Sequence, residues 1–274
     1  MTEQVRVDMP GGLLFRHRTT IHRHGKLTDL HCHSLFELIY VVSGELFHVV
    51  EGRKYRLKMG DLVLVRPSQH HYLQITSDEP YERYNFHFDP VLHGIESALQ
   101  IPETVEVISL SDNSIASELF SKLDYYCAKA DVQTFESLFK LLLNELFLNL
   151  RVSNNMIERK ETIISLVLTK ALEYINNHLC SVADVEEVAQ AQYISSSYLF
   201  YLFRNTLHQT PKRYINEKRL LLAQRRICAG EKPTVACKEC GFKEYTTFYR
   251  SYCSFFGHPP SQDCGSALRE RTDM

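Results

Sequence analysis

The chain has 274 residues, 44% apolar and 23% charged, enough to bury real cores and to rule out wholesale disorder. That length favours two domains over one. Net charge is −2 but unevenly spread: residues 1–161 carry 17 basic and 22 acidic side chains, whereas residues 190–260 carry 11 and 4, a local surplus that suits an anionic partner.

The first residues, MTEQVRVDMPGG, have no apolar core and no cleavage pattern, so no signal peptide is expected. The most apolar run, LFKLLLNELFLNL at 138–150, carries Lys140 and Glu145 and is too short and too polar to cross a bilayer. The expectation is a cytoplasmic protein with no membrane partner, its eight cysteines reduced thiols.

Residues 30–75 read as β structure. Short apolar strands are punctuated by Gly44, Gly52, Gly60 and Pro67, a spacing that suits a barrel or sandwich of antiparallel strands. ERYNFHFDP at 82–90 adds a further strand. From about residue 112 the period becomes helical. Between 135 and 150 the polar positions Lys140, Asn144, Glu145 and Asn149 form one narrow face and the rest is largely Leu and Phe. Such a helix must be buried on more than one side, against its own barrel and, most economically, against a second copy, so a homodimer is expected. Residues 151–161, RVSNNMIERKE, read as a linker.

The remainder repeats itself. SYLFYLFRNTLHQTP at 197–211 aligns with TTFYRSYCSFFGHPP at 246–260, pairing Leu199 with Phe248, Phe203 with Tyr252, Leu207 with Phe256 and Pro211 with Pro260. Each copy reads as a short helix, a tight turn and a second helix. In the first, Asp184 and Glu187 form a capping-box pair, the turn falls near Gln192–Ile194, and Ser195 caps the second helix, with Leu199, Leu202 and Phe203 inward. In the second, Gly241 supplies the turn and Phe248, Tyr252 and Phe255 point inward. Between the copies a helix opens at Thr210–Pro211 and closes at Gly230. At 1.5 Å per residue it is roughly 28 Å long. Successive major-groove faces on one side of DNA are about 34 Å apart, so this helix can hold two reading helices in adjacent grooves. Cys237 and Cys240 form a CxxC without a second pair, at small-residue positions where buried thiols pack as small hydrophobes.

The strings ISSSYLFYLFRNTLHQTPKRYINEKRLLLAQ and CGFKEYTTFYRSYCSFFGHPPSQ are long and ordered. Residues 170–262 resemble the paired helix-turn-helix domain of AraC-type transcription regulators, and residues 25–90 resemble that family's cupin-type sensor barrel. The resemblance implies an α+β two-domain fold: a cupin-like effector-binding and dimerisation domain at 1–150 (an antiparallel barrel followed by helices), a linker at 151–161, and an all-α double helix-turn-helix domain at 162–274. It places base-reading positions at Ser196, Ser197, Phe200 and Tyr201 and at Tyr245, Thr246, Tyr249 and Arg250. Arg250 can bind guanine O6 and N7 together, worth roughly 1–3 kcal/mol of discrimination, and Thr246 can meet a thymine methyl. Arg204, Lys212 and Arg213 suit phosphates. Departures from the family pattern are Phe200 and Tyr201 at usually smaller or polar positions, Tyr193 in the first turn, Ala236 and Cys237 before the second, and Asp263 and Cys264 after Pro260.

HGKLTDLHCHSLFELIYVVSGE at 24–45 also resembles the first cupin motif, with Gly25, His31, His33, Glu37 and Gly44 in place. A looser second motif offers Gly60, Asp61, Pro67 and His71, with Ser68 where glycine is common. Strand alternation puts His31 and His33 on one face and Cys32 on the other. His31, His33, Glu37 and His71 can converge, with His87 joining them. Three readings stay open: a divalent metal site (Fe, Mn, Ni or Zn), hydrogen-bonding groups for an organic effector such as a sugar or related metabolite, or groups paired internally. His17, His22, His24, His48 and His70 have no spacing partner.

These readings imply a sequence-specific DNA-binding regulator, an activator working with RNA polymerase, responding to a small-molecule effector. No catalytic residue is assigned, and a barrel metal is the one cofactor left open. The alternative is a metal-dependent cupin enzyme or metal sensor fused to a DNA-binding domain.

Overall fold

The computed structural model describes residues 2–21, 25, 27–76, 78–110, 114–152, 157–158 and 162–264. Two units divide the chain, residues 1–50 with 54–162 and residues 51–53 with 163–274. His22 and His24, and most of the expected linker, lie outside the described residues.

Strand alternation builds the first unit. Seven strands form its larger sheet: β1 (Thr2–Asp8), β2 (Leu14–Thr20), β3 (Phe36–Ser43), β6 (Asp61–Val65), β8 (Tyr81–Phe88), β9 (Val107–Ser109) and the two-residue β10 (Ile157–Glu158). Their order is β1-β2-β8-β3-β6-β9-β10, and all the pairings are antiparallel. A second sheet holds β5 (Arg53–Leu57), β4 (Leu46–Val50) and β7 (His71–Ile75) in that order.

The larger sheet is buried on both faces, and parity decides which residues go where. Leu38, Leu62, Leu64, Tyr84, Phe86 and Phe88 enter one cluster with Phe120 of α1 (Ser114–Lys129) and Phe135, Phe139 and Phe147 of α2 (Val132–Val152). Their odd-numbered neighbours Ile39, Val41, Val63 and Val65 face the second sheet and pack with Leu46, Tyr55 and Leu57. Each such side chain contributes roughly 1.5–3 kcal/mol on burial.

The sheet begins earlier than the sequence suggests. β1 and β2 are absent from the sequence reading because Arg16, His17 and Arg18 interrupt the apolar pattern; pairing of β2 with β8 along its whole length recruits them. The polar stripe of α2 is partly tied down by the fold. Asn144 is half-buried: its Oδ1 accepts from Ser97 Oγ at 2.5 Å, and its Nδ2 donates to Gly94 O at 2.7 Å. The outward side carries Leu141 (67% exposed), Leu148 (47%) and Val152 (85%) beside the exposed Glu145, so apolar side chains lie on more than one side of the helix, as its sequence leads one to expect. α2 also runs two residues into the segment read as linker.

The described part of the second unit is helical apart from short connections. It comprises α3 (Leu166–Asn177), α4 (Val185–Ala191), α5 (Ser196–Leu207), α6 (Pro211–Cys228), α7 (Pro233–Glu239) and α8 (Tyr245–Phe256). Ser165, Asp184, Ser195 and Thr210 cap α3, α4, α5 and α6, each side-chain oxygen accepting a backbone N–H three residues on. Glu187 closes its box one residue early, accepting from Ala183 N at 2.8 Å. Among the described residues no helix is long and apolar enough to cross a membrane.

Candidate functional site

The two sequence copies are two structural copies. Leu199 and Phe203 are fully buried, as are their counterparts Phe248 and Tyr252. The first turn is closed by Tyr193 at φ 56°, a left-handed conformation on a non-glycine residue whose ring is 97% exposed. Gly241 closes the second at φ 83°, where a Cβ would stand 2.4 Å from Cys180 O and 3.0 Å from the Arg219 guanidinium carbon. Arg219 donates to Leu179 O at 2.8 Å and Val182 O at 2.7 Å. The linking helix therefore holds the α3–α4 connection beside the second turn.

With the inward faces fixed, the outward faces follow. On α5, Ser197, Tyr201 and Arg204 are exposed and Ser196 and Phe200 half-buried; on α8, Tyr245, Thr246, Tyr249 and Arg250 are all exposed. Lys212 and Arg213 are exposed on the first turn of α6, beside an open groove also lined by Asn216, Ser251 and Ser254. Arg213 Nε lies 2.7 Å from Glu217 Oε1. Tyr198 escaped the sequence reading; it is exposed and stacks on Tyr201, with ring centroids 6.1 Å apart and planes at 13°. The three-residue spacing of two tyrosines on one helix was the available signal.

The departures noted after Pro260 are structural. Asp263 Oδ2 accepts from Tyr252 Oη at 2.5 Å and Gln224 Nε2 at 3.2 Å, tying the chain to α8 and α6. Cys237 and Cys240 join the cluster of Ile227, Ala236, Phe242, Phe248 and Tyr252. Burial raises both thiols, Cys240 to about 12.

In the first unit the register assembles the polar cluster. β3 pairs with β8 so that Glu37 stands opposite His87, on the inner face with Ile39 and Val41. His31 and His71 are joined by a backbone bridge with N–H···O distances of 3.2 and 3.0 Å. His33 Nε2 lies 3.1 Å from Glu37 Oε2, and His71 Nε2 lies 2.8 Å from the same oxygen but off the line of a hydrogen bond. His87 Nε2 is 3.5 Å from Glu37 Oε1, and Asn85, missed in the sequence, donates to that oxygen at 2.5 Å. Burial works to raise the Glu37 carboxyl, but His33 and His71 hold it well below the usual carboxylate range. Burial, with help from His71, lowers His31. His48, fully buried beside His71 with a ring separation of 5.6 Å, is pushed down to about 3, chiefly by burial. Among the described residues its two nitrogens, Asn85 Oδ1 and Tyr81 Oη have no hydrogen-bond partner, an accumulation of unsatisfied buried polar atoms that suits a ligand-binding interior. Cys32 turns away to His70, Sγ to Nε2 3.3 Å. Ser68 takes φ 67°, which explains why glycine is common there.

Comparison with known proteins agrees with both halves. Residues 15–147 match an AraC-like ligand binding domain and residues 188–263 a helix-turn-helix domain. Over 96 residues the chain is 30% identical to Regulatory protein SoxS of Salmonella typhimurium, covering 35% of this chain and 90% of that one. The chain belongs to the AraC family of transcription regulators. This AraC-family regulator is also 22% identical to the HTH-type transcriptional activator RhaR of an Enterobacter species, over 85% of each chain. It is 23% identical to the probable transcriptional regulator LumQ of Photobacterium leiognathi, over 70% of this chain and 66% of that one. It is a DNA-binding regulator with a ligand-binding domain, and the enzyme alternative falls away.

Proposed function

We propose that this regulator activates transcription by reading DNA with α5 and α8 and that a small polar organic molecule, a sugar or related metabolite, controls it from the inner face of the first unit. The observation that carries the DNA reading is the pair of outward faces left after the repeated core positions are buried. In this reading Arg250 contacts a guanine, Thr246 a thymine methyl, and Ser196, Ser197, Phe200, Tyr201, Tyr245 and Tyr249 the remaining base edges. Arg204, Lys212 and Arg213 hold phosphates and supply affinity without sequence information. The effector site is His31, His33, Glu37, His71 and His87. Residues 1–150 bind effector and pair two copies, residues 151–161 link, and residues 162–274 bind DNA. Support for the homodimer comes from the outward Leu141, Leu148 and Val152, apolar side chains on a helix whose other side is already buried. Effector binding shifts the population in which both reading helices are available, and an activator then meets RNA polymerase in the cytoplasm. The likeness to a transcriptional activator over 85% of both chains supports activation over repression.

Arg250→Ala tests the base-reading role. It should weaken binding to a selected operator by about 10- to 100-fold, the loss of one bidentate guanine contact, and leave binding to random DNA nearly unchanged. Equal loss on both would make Arg250 a phosphate contact.

A further inference from the structure

The two repeated helices carry different chemistry at corresponding positions. With Leu199 aligned on Phe248, Ser197 corresponds to Thr246, Phe200 to Tyr249 and Tyr201 to Arg250. From Ser196 to Phe203 α5 has no Arg, Lys, Asn, Gln, Asp or Glu. The side chains that pair in bidentate fashion with guanine or adenine are thus missing from its first two turns, the part of a recognition helix that meets base edges. Arg204 comes only in the third turn.

What α5 presents there is aromatic. Tyr198 is 45% exposed and Tyr201 59%, and their rings lie nearly parallel with centroids 6.1 Å apart. Apolar area gathered on an exposed face marks a surface that a partner covers. On the major-groove edges of the bases the thymine C5-methyl is the apolar group. Successive bases on one strand stand about 3.4 Å apart, so the ring pair is wide enough to cover two adjacent methyls. Tyrosine hydroxyls can bond phosphates instead. That rival requires the hydroxyl, whereas a methyl contact requires only the ring, so the two can be separated.

We propose that Tyr198 and Tyr201 read two adjacent thymines through their C5-methyl groups. The half-site under α5 is then specific for thymine, and recognition of guanine belongs to the half-site under α8, through Arg250. Ser197 adds little discrimination, because a hydroxyl both donates and accepts. The assignment rests on the reading of DNA by α5 and α8 and names the bases that the first of them selects.

Full-length protein should select binding sequences from a random duplex library. A second selection with Arg250→Ala, which should lose the guanine preference under α8, identifies the half-site of α5. That half-site is expected to hold two adjacent thymines on one strand. Deoxyuridine in place of either thymine removes the methyl and keeps every hydrogen-bonding group. It should weaken binding about fourfold per methyl, the effect of exposing one methyl-sized group, and should have no effect outside the half-sites. Tyr198→Ala and Tyr201→Ala should each bind the thymine duplex more weakly, with unchanged melting curves, and each should cease to distinguish thymine from deoxyuridine at one of the two positions. Tyr198→Phe and Tyr201→Phe should restore the distinction. Deoxyuridine tolerated at both positions, discrimination that survives both Ala substitutions, or discrimination lost in the Phe variants overturns the proposal. A guanine-bearing half-site selected without any preference under α5 refutes the thymine assignment alone, whereas no enrichment of any sequence refutes the DNA reading on which it rests.

Discussion

In the first helix-turn-helix unit both helices start on a side-chain cap, Asp184 and Ser195; in the second, Lys232 and Glu244 occupy those positions and neither caps. The turns are reversed in quality. Tyr193 holds a strained left-handed conformation in open solvent, whereas Gly241 adopts its own without strain and in close contact with its surroundings. The first unit is thus specified largely within its own sequence. The second relies on what is brought to it: an aromatic cluster shared with α6, the Asp263 carboxylate on Tyr252 and Gln224, and the Arg219 side chain beside its turn. One repeated motif can be stabilised locally or from a distance.

The largest expected effect breaks the second unit. Gly241→Ala puts a methyl group into the Cys180 carbonyl and should cost about 3 kcal/mol or more, from overpacking and backbone strain together. Urea unfolding measures it, and a cost below about 1 kcal/mol would mean the turn has room to relax.

Next comes an alkaline dependence confined to the same turn. Burial lifts the Cys240 thiol from 9 to about 12, so the folded chain holds its proton more tightly than the unfolded one. Stability from this group is complete below about pH 9 and is lost as pH rises towards 12, at about 1.4 kcal/mol per unit. Between pH 9 and 10.5 the stability advantage of wild type over Cys240→Ala should shrink by about 2 kcal/mol. A gap that stays constant over that range would show that the thiol ionises as freely folded as unfolded.

The caps sharpen the contrast at smaller scale. Ser195→Ala should cost about 1 kcal/mol, and Glu244→Ser should gain up to about 1 kcal/mol by giving α8 the cap that α5 already has. If thermal melts show neither change, capping does not distinguish the units. Smallest is Tyr193→Gly, where relief of roughly 1–2 kcal/mol of left-handed strain is partly offset by greater freedom of the unfolded chain, leaving a net gain of about 0.5–1 kcal/mol. A loss of stability on that substitution would assign the exposed ring a role in the fold.

The same division governs what could be read in advance. The repeat, the caps at Asp184, Ser195 and Thr210, and the glycine turn are local and were legible in the sequence. The convergence of His31, His33, Glu37 and His71 was legible as spacing. Asn85 was not, because it reaches Glu37 only through the register of β3 with β8, which neither strand encodes alone. The partners of Asn144 on α2 were hidden for a related reason. Periodicity marks Asn144 as polar, but only the fold brings Ser97 and Gly94 to meet it. Tertiary partners, unlike caps and turns, leave no mark at a fixed sequence offset.

Arg219 makes the linking helix more than a spacer. By holding the carbonyls of Leu179 and Val182 while lying against Gly241, it joins the segment before the first helix-turn-helix unit to the turn of the second. Two readers joined in this way cannot be rephased independently. Each base pair inserted between their recognition elements would rotate the second element by about a tenth of a helical turn away from its reader. Half a turn would place it on the opposite side of the duplex, so the operator is measured in angle as much as in letters.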